Sequence, residues 1–293
     1  MAATLRVRDE VAPPSLSSTS SIPTSSDTRG GKRQRTISAY SGAKVSLYNE
    51  ERQLSPLLRE WVDSYDGVRP ILEYGAGYGG NVIAASIELS RAVRDDPLPR
   101  TRILAAEFCD LYLHVINRSN SLQGVETLRC SLPALPVPPQ SLSGIMLSEN
   151  LHFMRPDEIE AAISCSYDRL APGGRLCITA LSPFCARGRL GELIRHTYAV
   201  NQNSKAFPLG AGFNLQEIVR EDPLIFEGAC HRHTVHDMPT YVHPLGEAEL
   251  VRVCTGAGFS VESLGYRSCA SYPSALRCDG REQICVVARK PLC

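Results

Sequence analysis

Short apolar runs alternate with longer stretches of helical periodicity through most of this chain. Residues 71–74 form a run of strand length, apolar but for Glu73, and residues 81–94 follow with apolar positions at helical spacing. The alternation repeats with strands predicted over 102–107, 125–130, 143–147 and 175–181, and helices over 109–117 and 156–170. Such an order predicts a parallel sheet covered by helices on both faces. Ala171-Pro172-Gly173-Gly174 reads as a turn between the second of these helices and the fifth strand.

After Ser182 the alternation breaks. Residues 183–243 form a long insertion with helical stretches over 190–201 and 214–221 and a histidine-bearing run, His231 to His236. It then resumes with a helix over 246–257 and strands over 259–265 and 283–289. Ahead of the first strand, Leu47, Leu54, Leu57, Leu58, Trp61 and Val62 recur at roughly helical spacing, predicting one or two amphipathic helices within 43–66. Residues 1–42 are rich in Ser, Thr and Pro and poor in large apolar side chains, so a disordered tail is expected there. The expected organisation is this tail followed by one domain over 43–293 that carries the insertion.

Composition narrows the picture further. The 31 basic and 31 acidic side chains balance, so no global charge points to nucleic acid or an anionic membrane. No apolar run approaches the ~20 residues of a membrane-spanning helix, and the N-terminus lacks the apolar core of a secretory signal, so a cytoplasmic protein is expected. Eleven cysteines are scattered without Cys-x-x-Cys pairs, which reads as reduced thiols in a core. His231 and His233 would share one face of a strand, but no carboxylate or cysteine set beside them completes a site, and no metal is expected.

The chemistry centres on Glu73-Tyr74-Gly75-Ala76-Gly77-Tyr78-Gly79-Gly80-Asn81. An apolar strand ends in an acid, a glycine-rich turn follows, and a helix opens whose free N–H groups face any bound ligand. Two templates fit. Gly75, Gly77 and Gly80 match the dinucleotide fingerprint Gly-x-Gly-x-x-Gly. Glu73 with Gly75, Gly77 and Gly79 matches Glu-x-Gly-x-Gly-x-Gly. Glu107, ending the second strand, suits ribose hydroxyls under either reading.

With Leu170-Ala171-Pro172-Gly173-Gly174 before the fifth strand and the helix–strand–strand ending, the chain resembles class I S-adenosylmethionine-dependent methyltransferases over about residues 70–289. The resemblance implies a Rossmann-like doubly wound α/β sheet, mostly parallel with an antiparallel last strand. It implies S-adenosyl-L-methionine as cofactor, its amino-acid end held by Glu73, Gly75, Ala76, Gly77, Gly79 and Asn81. Glu107 would bind the ribose, with Phe108 beside the adenine. Where the family often has an acid after the third strand, this chain has Cys130-Ser131-Leu132, so the adenine contact falls to Ser131, Leu132 or backbone. Ser148, Glu149 and His152 follow the fourth strand, near the expected sulfonium and acceptor.

Methyl transfer asks the protein to align a nucleophile and to remove its proton where necessary. His152 and Glu149 are the catalytic candidates, with His231, His233, His236 and His243 of the insertion behind them. Phe184, Tyr198, Phe207, Phe213, Phe226 and Tyr241 are available to line a lid, which suits a small organic acceptor methylated on oxygen or nitrogen. No basic groove for DNA or RNA is visible. A protein methyltransferase and a non-catalytic methyltransferase-like binding module are the alternatives.

Overall fold

The computed structural model describes residues 36–38, 44–46, 54–92, 102–119, 124–202, 212–214, 217, 220, 241–270, 272 and 276–292. The chain divides into residues 1–34, which lie outside the described set, and residues 35–293. The second unit begins with a two-stranded antiparallel pair, β1 (Thr36–Ser38) and β2 (Lys44–Ser46), the first of which falls in the stretch read as tail. Helix α1 (Pro56–Asp63) follows, shorter than the periodicity suggested. Ser55 caps it, accepting from Leu58 N at 3.3 Å, and Pro56 occupies the first turn, where its missing N–H costs nothing.

The remaining elements are β3 (Ile71–Tyr74), α2 (Gly80–Ala92), β4 (Ile103–Glu107), α3 (Asp110–Asn117), β5 (Val125–Arg129) and β6 (Leu142–Ser148). A short 3-10 turn (Leu151–Phe153) leads into α4 (Pro156–Arg169), β7 (Leu170–Leu181), α5 (Gly188–Gln202), β8 (Phe213–Asn214), β9 (Tyr241–Val242), α6 (Glu247–Gly256), β10 (Ser260–Arg267) and β11 (Gln283–Arg289). Seven strands form one sheet in the order β10-β11-β7-β6-β3-β4-β5, and β8 pairs with β9 apart from it. Only β11 runs against the others, between β7 and β10.

The strand order puts β3 inside the sheet between β6 and β4, and its four residues are all buried. Alternate side chains supply the two faces. Leu72 joins a cluster with Ile145, Ile159, Ile163, Leu250 and Ile284 beneath α4 and α6, while Ile71 joins Trp61, Val82, Ile103, Met146 and Val287 beneath α1 and α2. A third cluster ties Leu190 and Ile194 of α5 to Leu181, Cys185 and Val242, with Tyr272 and Leu276 packed on it. The start of the insertion and the β10–β11 loop are thereby held over the carboxyl end of β7.

The Pro-Gly-Gly turn takes a different form from the one expected. β7 starts at Leu170, which pairs with Leu142, and the register then shifts so that Arg175 pairs with Gly144. Gly173 N donates to Lys290 O and Lys290 N to Gly174 O, both at 2.9 Å, so the chain end satisfies the turn's backbone and draws it into the strand as a bulge. Gly173 adopts φ 81° there. The helix predicted over 214–221 and the histidines 231, 233 and 236 fall largely or wholly outside the described residues. Among the described residues no helix is long and apolar enough to cross a membrane, and no group of three potential metal ligands occurs.

Candidate cofactor and acceptor site

β3, β4, β6 and β7 end along one edge of the sheet, where open α/β sheets present ligand sites. After Tyr74 the chain turns through Gly75, Gly77 and Gly79, all at positive φ (67°, 53° and 80°). Gly75 N and Ala76 N donate to Ala106 O at 2.8 and 3.2 Å, and Gly79 N to Ala76 O at 2.7 Å. At Gly75 the requirement is doubled. A Cβ there would meet Asn150 Oδ1 at 2.3 Å, because Asn150 Nδ2 donates to Tyr74 O and brings the end of β6 against the loop.

Glu73 lies beneath this loop, buried. Its Oε1 accepts from Asn81 Nδ2 at 2.6 Å, while Oε2 is buried with no partner. Burial is the largest cause lifting its carboxyl to about 8; the Asn81 bond opposes the shift, the Glu107 charge adds to it, and the nearby Val82 N–H opposes it most weakly. An acceptor left bare inside a protein costs free energy until a donor or cation reaches it.

Glu107 is the loop's other support. Its Oε2 accepts from Gly77 N at 3.0 Å, and its Oε1 from Phe108 N at 2.8 Å and Cys109 N at 3.1 Å. Phe108 beside it is 66% exposed, uncommon for a large apolar ring. The segment after β5 is set by Tyr74, whose hydroxyl accepts from Leu132 N. Leu132 N–H is therefore engaged, and the exposed Ser131 hydroxyl donates to Leu132 O at 3.5 Å.

The far side is organised by a row of polar groups across the strand ends. Asn81 Nδ2, already on Glu73, lies 3.4 Å from Ser148 Oγ, which accepts from Thr179 Oγ1 at 3.4 Å; Thr179 Oγ1 in turn accepts from Glu149 N at 3.2 Å. Glu149 ends the row. Its Oε2 accepts from Tyr272 OH and its Oε1 from Gln283 Nε2 at 2.6 Å. Burial, and then the Glu149 charge, push the Tyr272 phenol well above its ordinary range, so it stays a donor. Sequence reasoning missed Tyr74, Asn150, Tyr272 and Gln283; the last two are remote in the chain and reach the site only through tertiary packing.

His152 is placed otherwise than a free base would be. It is 5% exposed, and its Nδ1 accepts from Leu181 N at 3.2 Å, with Glu149 Oε2 at 4.0 Å. Burial pushes it below its ordinary value, with the Glu149 charge opposing and His243 adding, so the ring is held neutral. Its carbonyl accepts from His243 N at 2.7 Å. His243 is itself fully buried, with Nε2 on Glu249 Oε1 at 3.1 Å. Of the proposed lid residues, Phe184 stacks against Tyr266 and under Arg281. Phe207 and Phe226, like the side chain of Phe213, lie outside the described residues.

No model of a known protein family matches the sequence, nor does any curated protein. Solved structures do. A SAM-dependent methyltransferase of Methanosarcina mazei superposes with a TM-score of 0.55 at 16% identity, over 82% of this chain and 99% of that one. A Listeria monocytogenes protein assigned to the S-adenosylmethionine-dependent methyltransferases superposes with a TM-score of 0.51 at 13% identity, over 80% and 95%. Together with the strand order, the reversed β11 and the acid-led glycine loop, these likenesses give the chain the Rossmann-like fold of class I S-adenosylmethionine-dependent methyltransferases.

Proposed function

We propose that this protein is an S-adenosylmethionine-dependent methyltransferase acting on an oxygen or nitrogen atom of a small organic acceptor. The observation that carries the reading is Glu73 Oε2, a buried oxygen without a partner under a glycine loop. A buried carboxyl so placed, losing its proton as a cation arrives, suits the ammonium end of the cofactor, and the positive-φ glycines leave the backbone open to it. Glu107 is fixed by three backbone N–H groups and keeps further lone pairs for ribose hydroxyls. The exposed Phe108 ring offers a stacking surface beside it, with Ser131 as the polar group for the base edge.

When bound, S-adenosylmethionine supplies a methyl group on a sulfonium leaving group. The chain's own task is to hold the acceptor in line and keep water away. Glu149 is the carboxylate presented on the acceptor side, fixed by Tyr272 and Gln283. His152 supports the site from beneath: proton uptake at Nδ1 would break its bond to Leu181 N–H.

Calorimetry with S-adenosylmethionine, S-adenosylhomocysteine and NAD, on the wild type and Glu107→Ala, tests the reading. Micromolar binding of the first two, about 8 kcal/mol, and marked weakening in the variant are expected. Binding of NAD with no response to S-adenosylhomocysteine would overturn it.

A further inference from the structure

Glu149 departs from ordinary surface chemistry in two ways. Its backbone is left-handed, φ 58°, a conformation that is unfavourable for a residue with a side chain. The surroundings maintain it, through the bond from Glu149 N to Thr179 O at 2.9 Å and the grip of Tyr272 and Gln283 on the carboxylate. Every one of these partners is neutral. They aim the charge without cancelling it.

The second departure is that no lysine or arginine among the described residues pairs with it. Two other carboxylates of similar side-chain exposure each pair with two arginines: Glu88, 27% exposed, with Arg59 and Arg91, and Glu262, 33% exposed, with Arg175 and Arg289. Glu149, 31% exposed, has within reach among the described residues only His152 Nδ1 at 4.0 Å. That nitrogen accepts a backbone N–H and so presents a lone pair, not a proton. A fixed, accessible anion with no lysine or arginine on it among the described residues is a binding site for a cation.

We propose that Glu149, held by Tyr272 and Gln283, is the subsite for a cationic nitrogen, and that the acceptor is an amine bound through its ammonium group. The inference rests on the methyltransferase reading above and narrows it. A carboxylic acid acceptor would be repelled by Glu149. A phenol or alcohol would leave the charge uncompensated. An ammonium group compensates the charge and brings its own dissociable proton. That proton passes from nitrogen to a Glu149 oxygen, the N–H electron pair stays on nitrogen as the nucleophilic lone pair, and the carboxylate becomes a neutral acid.

The test separates this subsite from the cofactor site. Calorimetry measures S-adenosylmethionine and S-adenosylhomocysteine on the full chain and on Glu149→Gln. Ligand-observed NMR, with S-adenosylhomocysteine present, measures benzylamine against benzyl alcohol and benzoate. Benzylamine is expected to bind at least tenfold more tightly than the other two and to lose that preference in Glu149→Gln. Both nucleosides should bind the variant as they bind the wild type, which also shows that it is folded. Equal binding of benzylamine and benzyl alcohol overturns the proposal. So does a variant that loses affinity for S-adenosylmethionine but not for S-adenosylhomocysteine, because Glu149 then faces the sulfonium. If the wild type binds neither nucleoside yet selects benzylamine in their absence, the methyltransferase reading fails and the cation subsite stands.

Discussion

The hydroxyl of Tyr272 donates to the carboxylate of Glu149 across 123 positions of sequence, tying the β10–β11 loop to the end of β6. The loop is placed for this by Glu282, whose carboxylate accepts from Cys278 N at 2.7 Å, Gly280 N at 2.8 Å and Cys269 N at 3.3 Å. Its backbone joins in, since Ser182 N donates to Glu282 O at 2.9 Å. One buried acid thus shapes the loop, and the loop aims a second acid.

Tyr272→Phe keeps the ring in its packed position and removes the donor. Hydrogen bonds to charged groups contribute about 1.5–3 kcal/mol, so the acceptor's KM should rise roughly tenfold or more. Cofactor affinity should stay within twofold, because Tyr272 acts on the acceptor side. Steady-state kinetics beside calorimetry checks the split; an unchanged KM would remove Tyr272 from acceptor positioning.

Glu73 links cofactor binding to pH. Its carboxyl is raised from its ordinary 4.5 to about 8, by burial first, with Glu107 the facing acid that adds to the shift. A raised acid stabilises the fold fully below its unfolded value, and that contribution is lost as pH rises through the folded one. The ligand-free protein should therefore lose thermal stability between about pH 4.5 and 8. Glu73→Gln should flatten that slope and weaken S-adenosylmethionine binding at pH 8. Melting curves and calorimetry across this range decide the matter, and a variant with the wild-type slope would contradict the assignment.

His152→Ala should act mainly on stability. It leaves Leu181 N–H without its acceptor and opens a cavity, together costing about 2–4 kcal/mol. The wild type carries the opposite pH signature to Glu73. Burial lowers the His152 pKa, so its contribution is present above the unfolded value near 6.5 and is lost as pH falls. Urea unfolding at pH 7.5 and 5.5 should show a smaller pH dependence in the variant. Turnover per folded molecule that is also unchanged would leave His152 out of the reaction.

Gly75→Ala should abolish cofactor binding. The residue sits at φ 67°, and its new Cβ would lie 2.3 Å from Asn150 Oδ1. Left-handed backbone costs a residue with a side chain about 1–2 kcal/mol, and Asn150 would also give up its bond to Tyr74 O. Gly77→Ala meets no neighbour within 4 Å and should be the milder change. Differential scanning calorimetry of the two variants, with and without S-adenosylhomocysteine, compares them, and a Gly75→Ala melting point that still rises with the ligand would contradict the prediction.

Periodicity alone placed nearly every strand and helix of the sheet, because buried parallel strands must be apolar on both faces and their helices apolar along one stripe. β3 and β11 match the predicted bounds, and α2, β4, α4 and β10 differ by one or two residues. The glycine loop was equally legible, since positive φ and close backbone approach demand glycine at fixed spacing. Other features needed the folded chain. The Pro-Gly-Gly segment became a bulge because the end of β11 paired with it. His152 turned inward because Leu181 N–H required an acceptor at the end of β7. Tyr74, Asn150, Tyr272 and Gln283 carry no local signal, for each acts through a partner that only strand order brings near. Sequence by itself determined the scaffold and the glycine loop after β3; tertiary structure decided, among the described residues, which acids meet arginines and which meet only neutral donors.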